Sequence, residues 1–364
     1  MDSILLLSKK NNLYSKVKKC NIFVIFLIST IFIEIYIFKN SKTKKGSSNI
    51  INKILKSYKN ENNISYNKNV MKSYIKHQKK FCKFPYKYYD YLYENQIELR
   101  NFSLGDISYK FYVYKKYDDI SKLIIKRNNF EGNILLNCLS ALKYYKNNNN
   151  IANNKDIYML DIGGNIGVYP FFLGRFGFSI LSFEPSPRNY YISKKNYCLN
   201  KNLNIIIINK GLSSEEKICD YYSSKKNIGN GIIFCNNTID NIKIKNTLFK
   251  YGNVKVTKLK NFFPYLSDKK IALIKIDIEG GEGKDIEGGL DLITKYHIPF
   301  IVLEFTPSYL KDHNTDPIKF LELFIVNGYK ISLDGFLSNS FISINKIMKI
   351  MTIQINLYFI YKGN

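Results

Sequence analysis

The sequence predicts an α/β fold with a largely parallel sheet, and three observations point to it. After residue 150, short apolar runs alternate with segments of helical spacing, which is typical of βαβ units. Several of these runs end in an acidic residue, at the edge where open α/β sheets bind their ligands. One such acid leads directly into a glycine-rich turn and a helix. Residues 151–364 are therefore predicted to form a ligand-binding domain.

Seven apolar runs are the predicted strands of this sheet, bounded by loop-forming residues as strands usually are. They cover residues 157–161, 179–184, 204–211, 271–277, 299–304, 329–333 and 351–361. Upstream of them, apolar residues recur at helical spacing, which predicts a mostly helical stretch over 119–146.

Composition separates this domain from the chain that precedes it. The 364 residues are 45% hydrophobic, enough for a packed core, which excludes disorder of the whole chain. The formal net charge is +26, but residues 1–150 carry 28 basic and 10 acidic side chains, while residues 151–364 carry 27 and 19. Because most of the excess precedes the α/β domain, a nucleic-acid partner is not expected.

Residues 22–38 form an almost wholly apolar stretch in which Glu34 is the only charged residue. A membrane-spanning helix needs about 17–25 apolar residues, and the apolar part of a signal peptide about 7–15. No small-x-small cleavage site follows, so an uncleaved anchor is favoured over a removed signal peptide. Lysines on both sides nearly balance, with a slight N-terminal excess that favours a lumenal domain in an endomembrane.

The chain is thus expected to consist of five parts. These are a basic tail at 1–21, a transmembrane anchor at 22–38, a Lys/Asn-rich linker at 39–80, a partly helical extension at 81–150 and the α/β domain at 151–364.

The six cysteines show no CxxC pair and no paired Cys/His spacing, which argues against a zinc site. Cys219 and Cys235 flank a possible hairpin and could form a disulfide in an oxidising lumen. The favoured interpretation is that the cysteines are free thiols that behave as small hydrophobic side chains.

The glycine-rich turn discriminates between ligands. Asp161 ends a strand and is followed by Gly163, Gly164, Asn165 and Gly167, which allow a tight turn before a helix N-terminus. A dinucleotide site places pyrophosphate at this turn and has G-x-G-x-x-G, whereas here an acid would repel the phosphates and Asn165 replaces a glycine. S-adenosylmethionine lacks phosphate and carries an ammonium and a sulfonium group, so it suits an acidic turn.

A second acid, Glu184, ends the next predicted strand, about 20 residues after Gly163, as expected for adjacent strands. Its carboxylate oxygens can accept hydrogen bonds from both ribose hydroxyls. Taken singly, Asp161 could be a helix cap and Glu184 a solvated strand end. Their order on adjacent strands favours a shared ligand site.

Further acids follow the next two predicted strands. Asp277 and Glu279 point the same way while the chain stays extended, so both could face one pocket. Glu282 is expected to open the next helix, where an acid complements the helix dipole. Glu304 ends the following strand, and a divalent ion held by Asp277 and Glu304 is a minor alternative, so no metal site is predicted.

Four ordered motifs resemble those of the FkbM-type family of S-adenosylmethionine-dependent methyltransferases. They are Asp161-Ile-Gly-Gly-Asn-Ile-Gly167, Phe183-Glu-Pro-Ser-Pro187, Ile274-Lys-Ile-Asp-Ile-Glu-Gly-Gly-Glu282 and Ile301-Val-Leu-Glu304. Residues 1–118 lie outside the resemblance, and Lys260 stands where the family usually has an acid.

The resemblance implies a Rossmann-like class I methyltransferase fold, with a seven-stranded, mostly parallel sheet and helices on both faces. In the sequence this fold is expected to follow the N-terminal transmembrane helix. It also implies S-adenosyl-L-methionine as cofactor and transfer of its methyl group to a hydroxyl of a small molecule, lipid or glycan. Such a transfer is an in-line displacement in which a base removes the hydroxyl proton.

Roles for the candidate residues follow from the resemblance. Asp161 and the turn from Gly163 to Gly167 are expected to hold the methionine part, Glu184 the ribose, and Ser213 to lie near the adenine.

The base or the residue that positions the acceptor is expected to be Asp277 or Glu279. His313 follows Glu304 on a loop that leaves a carboxyl end, so it is a further candidate base; the alternative is an ordinary surface residue. His297 precedes a strand and is expected at the opposite edge.

Two other functions stay open at this stage. One is an RNA methyltransferase recruited by the basic N-terminal part, and the other is a non-catalytic scaffold that binds S-adenosylmethionine. The acceptor itself and the oligomeric state are not predicted.

Overall fold

The computed structural model describes residues 66–83, 93–235, 247–278, 289, 293, 295–312, 314–350 and 354–363. The predicted anchor at 22–38, the tail and most of the linker lie outside these residues, as do Glu279 and His313. Within the described ranges, none of the helices is both long and apolar enough to cross a bilayer.

The described strands fall into three sheets. In chain order they are β1 Ile97–Leu104, β2 Ile107–Tyr114, β3 Ile157–Ile162, β4 Ser179–Phe183, β5 Ile205–Ile208, β6 Gly211–Leu212, β7 Lys217–Ser224, β8 Asn227–Phe234, β9 Leu248–Thr257, β10 Lys270–Ile276, β11 Phe300–Phe305, β12 Tyr329–Ser332 and β13 Ile355–Tyr361.

The described α-helices connect and cover these strands. They are α1 Lys68–Lys83, α2 Asp119–Arg127, α3 Gly132–Asn148, α4 Val168–Gly174, α5 Pro187–Leu199, α6 Phe263–Leu266, α7 Pro307–Asp312, α8 Pro317–Val326 and α9 Ile344–Ile350. Short 3-10 turns lie at Glu94–Gln96, Asn154–Asp156 and Leu259–Phe262.

The central sheet has seven strands in the order β12-β13-β11-β10-β3-β4-β5. Only β13 runs antiparallel to its neighbours, so the predicted seven-stranded, mostly parallel sheet is confirmed. Its strands are largely buried on both faces, as in parallel sheets covered by helices, and even the edge strand β5 consists of four buried isoleucines. Successive residues alternate between two cores, with Met159 in one and Leu160 in the other.

The predicted helical stretch over 119–146 is two helices. α2 ends at Asn128 in the left-handed conformation, and α3 starts after Glu131, which is also left-handed with φ +50°. Asn tolerates that conformation readily, whereas Glu does so rarely. The break at 128–131 turns the N-terminus of α3 toward the sheet edge described below.

Two smaller sheets were not predicted as such. β1 and β2 form an antiparallel hairpin, and β6, β9, β7 and β8 form a four-stranded sheet in that order. β7 and β8 correspond to the hairpin suggested by Cys219 and Cys235.

Two disulfides correct the expectation of free thiols. Cys82 is bonded to Cys198 and Cys219 to Cys235, while Cys138 is free and buried. The favoured interpretation was wrong for these four cysteines. Cys82 and Cys198 are 116 residues apart and meet only through tertiary packing, whereas the Cys219–Cys235 bridge is the alternative that the possible hairpin had suggested.

Helix α1 lies largely within the range predicted as linker. Met71 and Phe81 are buried, and the Gln78 side chain donates to the Ile205 carbonyl and accepts from the Ile207 amide. The folded part therefore begins before the predicted boundary at residue 80.

Candidate active site

A cavity of about 360 Å³ lies at the carboxyl edge of the central sheet. The ends of β3, β4, β10 and β11, the segments around the starts of α2 and α3, and β8 contribute to its wall. The lining residues are Asp118, Asp119, Ile120, Phe130, Glu131, Gly163, Asn165, Glu184, Pro185, Asn189, Tyr221, Asn227, Gly229, Asn230, Gly231, Ile233, Asp277, Ile278, Glu304 and Gln354.

The glycine turn after β3 needs its glycines for conformation and for space. Gly163 and Gly167 have φ of +85° and +99°, which favour glycine. A Cβ atom on Gly163 would lie 1.8 Å from the Asp277 carbonyl oxygen, and one on Gly164 would lie 2.1 Å from the Ser182 hydroxyl. The backbone of this turn therefore sits directly against the neighbouring strands.

Asp161 lies beneath this turn and does not line the cavity. It is fully buried, and its Oδ2 accepts a 2.8 Å hydrogen bond from the Ser182 hydroxyl. Oδ1 has no hydrogen-bond partner among the described residues. Burial raises the pKa of Asp161, although the Lys275 charge opposes the shift. The structure thus places Asp161 as a support of the turn.

Glu184 lines the cavity and is held by the backbone. Its Oε2 accepts from the Asn165 amide at 2.8 Å, and its Oε1 accepts from the Ser186 amide at 2.8 Å and the Asn189 side chain at 3.4 Å. Burial raises the pKa of Glu184 to about 7, and these hydrogen bonds limit the rise. Carboxylate oxygens have several acceptor positions, so Glu184 can accept further hydrogen bonds from a ligand.

Asp277 lines the cavity as an ion-paired carboxylate. The Nζ atom of Lys275 lies 3.0 Å from its Oδ2 and donates to the Gly163 carbonyl at 3.2 Å. Burial opposes the charge of Lys275, but the carboxylates of Asp277, Asp161 and Glu131 together raise the pKa of this lysine. Sequence reasoning missed Lys275, although a lysine inside an otherwise apolar strand is a visible signal.

Glu131 was also missed as a site residue. It lines the cavity from the start of α3, and its Oε2 accepts a 2.6 Å hydrogen bond from the Tyr169 hydroxyl. Burial raises the pKa of Glu131, whereas this hydrogen bond and the Lys275 charge lower it. Glu131 stands 30 residues before Asp161 in the sequence, and only the packing of α3 on the sheet brings it to the site.

Strand β8 closes one side of the cavity. The Gly229 carbonyl accepts from the side chains of Asn165 at 3.1 Å and Asn189 at 2.8 Å. A Cβ atom on Gly229 would lie 2.1 Å from Asp118 Oδ1, so this strand approaches the wall closely. Oδ1 of Asp118 is buried and has no partner among the described residues.

The remaining candidates are dispersed. Ser213 is buried, its amide donates to the Thr257 carbonyl at 2.8 Å, and it is not among the lining residues. Glu304 and Asp277 line the same cavity, but the described residues contain no group of three or more potential metal ligands. His297 stacks on Tyr361 at 4.8 Å, before the start of β11.

Comparison with known proteins shows a match to one domain family. Residues 161–331 match the sequence profile of the methyltransferase FkbM domain. Over these residues, just under half of the chain, the protein is similar to the FkbM methyltransferase family. S-adenosylmethionine, the predicted cofactor, is the methyl donor of this family. No curated protein sequence matches the chain.

Solved structures with a similar fold include three methyltransferases. Precorrin-6y C5,15-methyltransferase from Geobacter metallireducens GS-15 is 13% identical, with 64% of this chain and 88% of that chain covered and a TM-score of 0.31. M. jannaschii TYW2 in complex with AdoMet is 13% identical (72% and 84%, TM-score 0.31). Magnesium protoporphyrin IX methyltransferase from Synechocystis PCC 6803 with bound SAH is 10% identical (64% and 88%, TM-score 0.31).

The matched FkbM domain does not contain the whole cavity wall. Asp118, Asp119, Ile120, Phe130 and Glu131 precede the matched residues. The extension before the FkbM domain is therefore part of the site.

Proposed function

We propose that this protein is a membrane-anchored, FkbM-type methyltransferase that uses S-adenosylmethionine to methylate a hydroxyl group of a small molecule, lipid or glycan. One observation carries the proposal: a single cavity joins the glycine turn at Gly163, the buried carboxyl group of Glu184 and the ion-paired Asp277.

The residues present fit the cofactor. Glu184 is held by the Asn165 and Ser186 amides and can accept the ribose hydroxyls. The glycine turn allows a ligand to lie against the backbone, and the acidic wall complements a cationic ligand. When bound, S-adenosylmethionine supplies an electrophilic methyl group on its sulfonium.

Asp277 is the residue proposed to orient the acceptor hydroxyl or to take its proton. Its ion pair with buried Lys275 fixes the carboxylate at the end of β10. Glu279, two residues further on, remains the alternative for this role. His313 remains a candidate base, proposed on its place in the sequence after Glu304.

The polar character of the wall supports a hydroxyl-bearing acceptor. Asn227, Asn230 and Gln354 line the cavity together with the apolar side chains of Ile120 and Ile233. Amide side chains both donate and accept, as recognition of hydroxyl groups requires.

The two disulfides support placement in an oxidising compartment. Disulfides persist in secretory and extracellular environments and are rare in the cytosol. With residues 22–38 as anchor, the domain would face the lumen of an endomembrane. Protease treatment of sealed microsomes tests this: a lumenal domain is protected until detergent is added, and digestion without detergent would contradict it.

Cofactor binding is the first test. We expect the full chain to bind S-adenosylmethionine in calorimetry, and Glu184→Ala to weaken binding at least about 100-fold because the ribose loses charged hydrogen bonds. Lys330→Ala, outside the cavity, is the control. Unchanged affinity in Glu184→Ala would contradict the proposed site.

The acceptor class is the second test. Labelled methyl transfer from the cofactor is compared between an extract of small molecules, lipids and glycans and an RNA preparation. Label in the first supports the proposal, whereas label confined to RNA indicates an RNA methyltransferase. Binding of the cofactor without transfer to either indicates a scaffold.

A further inference from the structure

Glu131 lines the cavity and has no ion-pair partner among the described residues. It comes from the extension before the FkbM domain, and its Oε2 is fixed by the Tyr169 hydroxyl at 2.6 Å. Tyr169 lies in the first turn of α4, which directly follows the glycine turn. Glu131 is thus hydrogen-bonded to the helix that follows the glycine turn.

The other acids of the site are already engaged. Asp161 is buried beneath the turn and bonded to Ser182, and Asp277 is paired with Lys275. Glu184 accepts two backbone amides and is proposed to bind the ribose. None of these three carboxylates is as well placed as Glu131 to neutralise a further cation of the ligand.

Two further acids on the wall, Asp118 and Asp119, lie elsewhere or are paired. Asp118 abuts Gly229 on β8, beside Asn189 and the Glu184 end of the cavity. Asp119 forms an ion pair with Lys122 at 2.7 Å. Glu131, by contrast, interacts electrostatically with Lys275 and Asp277, next to Gly163. Its place is the methionine end of the cavity.

We propose that Glu131 binds the α-ammonium group of the methionine part of S-adenosylmethionine, through an N–H···O bond to the carboxylate. This assignment rests on the proposed function and moves the methionine-binding acid from Asp161 to a residue outside the FkbM domain. A half-buried carboxylate with one oxygen held by a tyrosine is preorganised for such a bond, because its side chain needs no further ordering.

Three ligands separate the ammonium contact from the rest of the cofactor. S-adenosylmethionine and S-adenosylhomocysteine both carry the α-ammonium group, whereas 5′-methylthioadenosine has the adenosine and the thioether but no amino acid part. In calorimetry with the full chain, we expect Glu131→Gln to weaken binding of the first two about 10- to 100-fold and to leave binding of methylthioadenosine within about twofold.

Matched variants control for structure. Glu94 also accepts a tyrosine hydroxyl at 2.6 Å, from Tyr191, and does not line the cavity, so Glu94→Gln is expected to leave all three affinities unchanged. Glu131→Asp keeps the charge and is expected to retain more affinity than Glu131→Gln. It also serves as the test variant if Glu131→Gln fails to fold in thermal melting, and must then weaken the two ammonium ligands selectively.

The outcomes are distinct. Equal weakening of all three ligands would mean that Glu131 only shapes the cavity, and undiminished binding of S-adenosylmethionine would mean that another group holds the ammonium; either result overturns the assignment. A wild-type chain that binds none of the three contradicts the proposed function itself. A wild type that binds all three while Glu131→Gln has no effect contradicts only the role of Glu131.

Discussion

At the scale of single residues, burial shifts the pKa of Glu184 into the neutral pH range. Its pKa is raised to about 7, so the ionised fraction rises steeply between pH 6 and 8. The ionised carboxylate offers both oxygens to ribose hydroxyls, whereas the protonated group has lost acceptor capacity.

Binding of methylthioadenosine, which retains the ribose, should therefore strengthen up to about tenfold from pH 6 to pH 8. Glu184→Gln should flatten this dependence, since an amide does not titrate. Calorimetry at four pH values measures both, and an equal slope in wild type and variant would contradict the assignment. The folding stability of the ligand-free protein should depend on pH in the opposite direction. The contribution of Glu184 to the free energy of unfolding is present below its usual pKa of 4.5 and is lost as pH rises through about 7.

Residues of the site differ in how far the sequence could reveal them. Gly163 and Glu184 were predictable because turn chemistry and strand-end acids are local signals. Glu131 was not, because it reaches the cavity only through the break between two helices and the packing of α3. The buried position of Asp161 was not predictable either, since it depends on the turn folding over it.

At the scale of elements, α1 protects an edge of the central sheet. The edge strand β5 would expose backbone groups that invite pairing with other chains. Gln78 donates to the Ile205 carbonyl at 2.8 Å and accepts from the Ile207 amide at 3.0 Å, as a neighbouring strand would. The helix therefore covers the edge and provides hydrogen-bond partners for part of the β5 backbone.

Replacing Gln78 by Leu should lower the free energy of unfolding by about 2–4 kcal/mol, because two buried backbone groups of β5 lose their partners. The control is Lys76→Leu, an exposed position on the same helix, which should change stability by less than about 0.5 kcal/mol. Denaturant unfolding under oxidising conditions measures both. Equal stability of the two variants would show that α1 does not protect β5.

The strands of the central sheet were predictable because they are continuous apolar runs, as is typical of strands that are buried on both faces. In the extension hairpin β1–β2, strand β1 has an irregular burial pattern, and only β2 alternates between buried and more exposed residues. In β7 the buried Cys219, Tyr221 and Ser223 alternate with less buried residues, a period-two signal that Lys, Asp and Ser residues obscure.

At the scale of the whole molecule, covalent links join parts that the sequence separates. The bond between Cys82 and Cys198 links α1 to α5 across 116 residues. The bond between Cys219 and Cys235 closes a loop of 16 residues at the four-stranded sheet. Because a crosslink restricts the unfolded chain more when its loop is longer, the first should stabilise the fold by about 5 kcal/mol and the second by about 3 kcal/mol.

Paired Cys→Ser variants of each bridge test this order in thermal unfolding. Cys82→Ser/Cys198→Ser should lower Tm more than Cys219→Ser/Cys235→Ser. A reductant should lower the Tm of the wild type to that of a variant that lacks both bridges. The four-serine variant should itself be insensitive to reductant, because the remaining described cysteine, Cys138, is free and buried. A wild-type Tm that is identical with and without reductant would mean that the bridges do not hold the fold, and would remove their support for a lumenal location.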